Sequence, residues 1–360
     1  MSKYSTSKAA GTVLATFVIA MLIAPRAARA TDEYELKVYP CPRTALPLTI
    51  DGKLDEEAWE EAPLVGGFTL YNKPELVEPQ TYFRVLHTDE HLVFGFRCDE
   101  PMMRKLIPIP QARDAKAVFR GEAIELFIDP KHEHANYFQF AADASASVYD
   151  SKGEDPIWNA DVRAATKLHQ DHWSLEIAIP WEDLGITPSR GALLGFNICR
   201  DRLIDNAKLW CNWSQTKSNF HDPIRFGHLV LAPSPEDMGK ISGELRKGDR
   251  RGPIMIYSKT GMSQTSYRAL AEASLTRLRA LLADLAATRD TEPDPGTRNA
   301  LTKLLDTYEA EIAPFRETLA TGAELDAKQG TSIDLRITQI AAKLADAIWS
   351  ARLSSLLESL

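Results

Sequence analysis

Residues 119–130 read FRGEAIELFIDP, and from Ala123 onward apolar side chains alternate with acidic and aromatic ones. That two-residue period is the signature of a pleated strand. Ile124, Leu126 and Ile128 form one face and predict contact with a core. Glu125, Phe127 and Asp129 form the other, which reads either as solvated surface or as the floor of a polar-ligand site. Glu122 and Glu125 stand three positions apart, so one strand would point them to opposite faces.

Similar runs flank this one on both sides. YFRVLHT (Tyr82 to Thr88), HLVFGFRC (His91 to Cys98), NYFQFAAD (Asn136 to Asp143), HWSLEIAIP (His172 to Pro180) and LLGFNICR (Leu193 to Arg200) are short, rich in β-branched and aromatic residues, and separated by turn residues. A series of this kind without intervening helical units predicts an antiparallel β-sandwich. Trp59, Trp173 and Trp181 read as core, while Trp158, Trp210 and Trp213 are open to either core or cleft.

The pattern changes after Leu231. Residues 233–262 are rich in Pro, Gly and charge and read as a linker. Beyond them Ala271, Leu275, Leu278, Leu282 and Leu285 alternate spacings of four and three. Leu301, Leu305, Tyr308, Ile312, Phe315 and Leu319 do the same, as do Ile333, Ile337, Ile340 and Leu344. These seams predict a C-terminal α-helical bundle or coiled-coil hairpin over residues 263–360, with Pro314 kinking or dividing the second helix. The helical tail carries no candidate chemistry and is assigned to packing, self-association or a protein partner.

At the N-terminus, Lys3 and Lys8 precede an apolar run from Gly11 to Ala24, followed by Ala28-Arg29-Ala30. This is the pattern of a secretory signal peptide over residues 1–30, too short in its apolar run to span a bilayer. The expectation is an exported protein, periplasmic or extracellular, beginning at Thr31 with no membrane span. Its sandwich would occupy residues 31–232 and fold without the tail. A net charge of −8 over 360 residues argues against nucleic acid as a partner. Cys41, Cys98, Cys199 and Cys211 are too scattered for a disulfide scaffold. Cys199 and Cys211 flank a turn and read either as a bridge across a hairpin or as buried thiols.

Catalytic signatures are absent: no GxSxG, no HExxH and no glycine-rich phosphate loop occurs. His132 and His134 sit in the polar stretch KHEHAN and read as solvated surface. Glu122 and Glu125 would supply the two carboxylates of a glycosidase, but not from opposite faces of one strand. Asp51 and Asp55 could hold a structural calcium ion, with a solvated turn as the alternative.

The stretch IDGKLDEEAW (Ile50 to Trp59) resembles the opening signature of the family 9 carbohydrate-binding modules, a DOMON-like β-sandwich family. VLHTDEHLVFGFRCDEP (Val85 to Pro101), EAIELFIDP (Glu122 to Pro130), HWSLEIAIPWEDLG (His172 to Gly185), GFNICR (Gly195 to Arg200) and FHDPIRFGHLVL (Phe220 to Leu231) follow in the family's order. The resemblance spans Tyr34 to Leu231. It implies a non-catalytic domain in which two aromatic residues sandwich a sugar at the end of a polysaccharide while polar groups bond its hydroxyls.

Carried onto this chain, the resemblance makes Phe119 and Phe220 the aromatic pair, Glu125 the hydroxyl acceptor and Glu122 a residue that fixes the loop. The chain departs from the family in having Phe where Trp is usual at position 119, Lys217 where an Asn is usual, and Gln139 where an Arg is usual. Together Phe119, Glu122, Glu125, Gln139, Lys217 and Phe220 form the expected ligand set, with no cofactor. Two alternatives follow from the same resemblance. One is a glycosidase-associated enzyme, and the other is an electron-transfer domain of the haem-binding DOMON type, with Met102, Met103 and Lys105 as candidate ligands.

Overall fold

The structure, a computed structural model, describes residues 35–358 apart from 154, 156, 205–206, 235–243 and 246–249. Residues 1–30, expected as a signal peptide, lie outside the described residues. The strands are β1 (Leu36–Cys41), β2 (Thr69–Leu70), β3 (Thr81–His87), β4 (His91–Asp99), β5 (Ala123–Asp129), β6 (Phe138–Asp143), β7 (Val148–Lys152), β8 (Arg163–Leu168), β9 (His172–Pro180), β10 (Leu193–Ile204), β11 (Ala207–Asn212), β12 (Gly227–Leu231), β13 (Ile254–Ser258) and β14 (Gly261–Thr265). A larger sheet runs in the order β14-β13-β1-β12-β10-β5-β6-β7, with β11 and β2 continuing from β10. A smaller one runs β3-β4-β9-β8. Pairing is antiparallel except that β1 lies parallel to both β12 and β13.

The two sheets enclose one core, as in other β-sandwiches. Ile124, Leu126 and Ile128 of β5 enter it as their alternation predicts, beside Phe196 and Ile198 of β10, and meet Phe94 and Phe96 of β4 and Trp173, Leu175 and Ile177 of β9. Trp59, Trp173, Trp181 and Trp213 are buried, whereas Trp210 is 46% exposed. The opposite face of β5 is not solvated surface either: all seven residues of the strand are buried.

The IDG turn owes its shape to Glu176 of β9. One carboxylate oxygen of this buried residue accepts from the Asp51 and Gly52 N–H groups at 2.8 and 2.7 Å, and the other from Trp59 Nε1 at 3.1 Å. Gly52 has φ +84°, and a Cβ there would lie 2.6 Å from the Thr166 carbonyl carbon. Only glycine combines that conformation with that approach. The Asp51 carboxylate pairs with Lys53.

Cys199 and Cys211 do not face each other. Cys199 pairs with Asn212 and Cys211 with Arg200, so the two thiols project from opposite faces of the sheet. All four cysteines are free and buried.

The helices are α1 (Trp181–Leu184), α2 (Tyr267–Thr291), α3 (Pro295–Ala320) and α4 (Ala327–Glu358). Ser266 caps α2 by accepting from Ala269 N–H, and Asp294 caps α3 through Thr297 N–H with Pro295 in its first turn. Those caps explain the TEPDPGT break between the two seams. Arg268 near the start of α2 bonds the Leu319 and Ala323 carbonyls at the end of α3, so these helices are antiparallel. Ser274 bonds Asp334 and Arg352 pairs with Asp284, so α2 and α4 run parallel. The tail is thus an up-down-up bundle of three helices whose interior is the predicted seams. Pro314 does not divide α3, which continues through it. Among the described residues, no helix is long and apolar enough to cross a membrane.

The linker expected over residues 233–262 is in part sheet. Ile254, Met255 and Ile256 of β13 pair with Leu36, Lys37 and Val38 of β1, and β13 pairs in turn with β14. Leu36, Val38, Val230 and Ile254 share a single buried cluster with the bundle's Leu275, Leu278 and Leu282. The separation of sandwich and tail that the composition suggested is therefore not a physical one. Gly252 forms a bend before β13, and Lys259-Thr260 form the turn between β13 and β14.

A chain ending at residue 234 would uncover Leu36, Val38 and Val230, each 0–1% exposed. It is expected to aggregate or to bind a hydrophobic dye strongly. In the full chain, Leu278→Ala should cost about 2–5 kcal/mol. Thermal unfolding and dye fluorescence of the two proteins check this, and a shortened chain as stable and dye-silent as the full one would refute the shared core.

Candidate functional site

The outward-facing residues of β5, β6, β7, β10 and β11 line a cleft of about 640 Å³. Register places its floor. Glu125 lies opposite Cys199, which puts Asp201 two residues further along β10 in the diagonal position. Gln139 of β6 and Ser151 of β7 pair with each other across the next strands. Trp210 of β11 lies directly opposite Asp201.

Two aromatic groups form the walls. Phe119, in the short 3-10 turn Lys116–Arg120 that precedes β5, meets Tyr149 edge to face with ring centroids 4.8 Å apart. Phe220, on the loop between β11 and β12, meets Tyr71 at 6.2 Å, and Tyr71 meets Trp210 at 6.4 Å, both pairs edge to face. Asn219 and His221, on either side of Phe220, also line the cleft. Phe220 is packed from below by Phe127 and Phe226 as well, so it serves the outer face and the cleft together.

The floor is a carboxyl pair. Burial, and then the Asp201 carboxylate beside it, hold Glu125 well above the usual carboxylate range. Burial pushes Asp201 up to about 6. Glu125 retains the proton and donates it to Asp201, and its Oε2 accepts from Gln139 Nε2 at 2.5 Å. Near neutral pH the pair thus offers one bound proton and one negative charge. It can both accept from and, through exchange of that proton, donate to a polar ligand. Hydrogen-bonded carboxyls lack the spacing of about 5 Å or more that glycosidase chemistry needs between its two groups.

Four residues of the expected set therefore converge here: Phe119, Glu125, Gln139 and Phe220. Two do not. Glu122 shares its parity with Ile124, and so points to the inner side of the sheet. There it accepts from Arg200 Nη2 at 2.8 Å, from Leu203 N–H at 3.0 Å and from Trp173 Nε1 at 3.3 Å. It holds the start of β5 to β10 and does not reach the cleft. Lys217 is exposed on the loop after β11, where its N–H donates to Asp222 Oδ2 at 3.1 Å. Ser218 and Asn219 line the cleft in its place. Met103 packs against the sandwich core, and Lys105 borders a different hollow. Neither meets the cleft.

Asp201, Tyr149 and Tyr71 carry no such expectation, and of the three tryptophans open to core or cleft it is Trp210 that lines the cleft. The alternation that places Phe196 and Ile198 inside also places Cys199 and Asp201 outside, so Asp201 was within reach of the pattern. Its neighbours Arg200 and Arg202 disguised it as part of a charged run. Both arginines in fact turn inward, Arg202 onto Glu100 at 2.6 and 2.9 Å.

Residues 50–233 match the family described as carbohydrate family 9 binding domain-like. Among solved structures, the chain is similar to a family 9 carbohydrate binding module from Caldicellulosiruptor kristjanssonii in complex with cellotriose, at 16% identity and a TM-score of 0.41, covering 56% of this chain and 96% of that one. It is also similar to such a module from the same organism in complex with glucose, at 16% identity and a TM-score of 0.42, covering 55% and 97%. No curated protein matches the chain.

A carboxyl that ionises less readily in the folded state, as Asp201 does at about 6 against 3.8, destabilises the fold as pH rises through that window. Asp201→Asn is accordingly expected to stabilise the protein at about pH 7 by on the order of 1–3 kcal/mol, and to gain little at about pH 4. Thermal unfolding of both proteins across that range is the check. A variant less stable than the parent near neutrality would show that the pair is not strained.

Proposed function

The chain belongs to the carbohydrate family 9 binding domain-like family, and on that premise we propose that the outer-face cleft binds a sugar, without catalysis, for an exported protein. The observation that carries this reading is the combination of a carboxyl floor with aromatic walls on two sides. Sugars present apolar C–H faces that stack on aromatic rings and hydroxyls that both donate and accept. Phe119 with Tyr149 and Phe220 with Tyr71 and Trp210 supply the first. Glu125, Asp201, Gln139 and Ser151 supply the second.

Within this reading the ligand is the end of a polysaccharide chain or a short oligosaccharide, since the cleft lies on one face at the β7 side of the sheet. The carboxyl pair disfavours anionic sugars, because an ionised Asp201 and a ligand carboxylate would repel. Export follows from the N-terminal pattern of basic, apolar and small residues.

Titration calorimetry with neutral oligosaccharides tests the proposal. The expected Kd is on the order of 10 μM to 1 mM. Trp210→Ala should weaken binding at least about tenfold with little change in melting temperature, because the ring is 46% exposed. Phe220→Ala should lose binding and some stability together. Binding should also weaken as the pH falls below about 6, where Asp201 takes up a proton. Titrations that Trp210→Ala and Glu125→Gln leave unchanged would sink the assignment of this cleft.

A further inference from the structure

A second cluster of chemistry-bearing side chains lies on the same outer face, between the cleft and the helical bundle. His132 and His134, expected as solvated surface, are drawn inward: their side chains are 6% and 29% exposed. His132 Nδ1 lies 3.4 Å and His134 Nε2 3.9 Å from the same oxygen, Glu244 Oε1, which comes from the segment leading toward β13. One ligand atom from each of the three lies within 4.8 Å of the others. The His228 ring, from β12, lies against this trio and outside it, its centroid 4.6 Å from that of His132 and 6.4 Å from that of His134.

His228 is the telling neighbour. It is fully buried, and neither of its ring nitrogens is hydrogen bonded. The Lys37 backbone lies beside the ring without reaching hydrogen-bond geometry. Buried polar groups are almost always paired, so an imidazole with two unbonded nitrogens beside two further imidazoles calls for a reason. A metal ion supplies one.

We propose that His132, His134 and Glu244 form a site for a divalent transition-metal ion of the zinc type, with the adjoining His228 turning in as its fourth ligand. Bonds of about 2.0–2.1 Å in a tetrahedron set neighbouring ligand atoms about 3.3 Å apart. The separations of 3.4 and 3.9 Å to Glu244 are close to that edge. Three imidazoles and one carboxylate favour zinc, copper, nickel or cobalt over calcium or magnesium, which prefer all-oxygen sets.

The surroundings fit a ligand set as well. His134 Nδ1 faces the Pro223 carbonyl at 3.4 Å. A proton held there leaves Nε2, the atom turned to Glu244, with its lone pair free. Asp129 fixes the loop: its carboxylate accepts from His134 N–H at 2.7 Å and Lys131 N–H at 3.3 Å. His132 and His134 adopt φ values of 52° and 58°, an uncommon conformation for non-glycine residues.

An ion at this position would join three parts of the chain: the loop after β5, strand β12, and the segment carrying Glu244. Leu245, the next residue, is buried in the cluster shared with the bundle. The ion would therefore clamp the route from sandwich to bundle.

The test uses the full chain without a polyhistidine tag, stripped with a chelator and titrated with Zn²⁺ by calorimetry, with Ca²⁺ titrated separately. One zinc per chain is expected, bound at micromolar Kd or tighter, with a rise in melting temperature and a weak response to Ca²⁺. Co²⁺ should give the intense visible bands of a tetrahedral site. His134→Gln and Glu244→Gln, both at partly exposed positions, should each weaken zinc binding by about 10–100-fold or more while the metal-free proteins melt as the parent does. Trp210→Ala, in the sugar cleft, should bind zinc as the parent does. Unchanged zinc affinity in His134→Gln and Glu244→Gln, several weak ions per chain, or Ca²⁺ bound as tightly as Zn²⁺ would each overturn the site.

Discussion

Every second residue of β10 turns away from the sandwich interior, and the strand's twelve residues pass beneath everything that distinguishes this protein. Leu193 lies under the helical bundle. Gly195 pairs with both Asp129 and His228, beside the histidine cluster. Cys199 sits with Phe127 under Phe220 and Phe226, and Asp201 reaches the cleft. The pleat leaves no freedom here, because a one-residue slip would exchange this set for Phe196 and Ile198. One strand's register therefore fixes the bundle contact, the histidine cluster and the sugar cleft relative to one another.

Register in turn depends on the polar network at the end of β10. Arg200, 1% exposed, bonds Glu122 at 2.8 Å and lies 3.6 Å from Glu100, which accepts both fork nitrogens of Arg202. Buried ion pairs add little net stability once desolvation is counted, but removing one partner costs several kcal/mol, about 3–5. Such a network penalises misalignment more than it rewards formation. It suits a position where β4, β5 and β10 must be held to one register so that Glu125 and Asp201 meet on the far side.

The fold was legible because burial and period coincide. Ile124, Leu126 and Ile128 in β5, and the leucine seams of the tail, are read correctly from spacing alone, since each element has one dominant buried face. Glu125, Gln139, Phe119 and Phe220 became readable only through resemblance to a family. Glu122 stands in the family motif but, by the parity that separates it from Glu125, turns inward and fixes the start of β5 without meeting the cleft. The sheet formed by β13 and β14 stayed hidden because its strands are short, 5 residues each, and bracketed by glycines. No local signal says that Ile254 will pair beside Leu36, more than two hundred residues earlier. The histidine cluster was illegible for the same reason: Glu244 and His228 are remote in sequence from His132, and only the sheet brings them together.

The division of the outer face also explains where polar groups are tolerated. Under the bundle the sheet presents Leu36, Val38, Val230 and Ile254, and helices exclude water from them. Toward β7, where among the described residues none of the bundle's three helices lies on the sheet, the same face carries Glu125, Asp201, Gln139 and Ser151. Two carboxyls held side by side at the floor of a cleft are a standing cost to folding, visible in the suppressed ionisation of both. The sandwich core and the bundle together offset that cost. A ligand's hydroxyls can then replace water around groups that are already oriented, so little of the binding energy is spent on ordering the site.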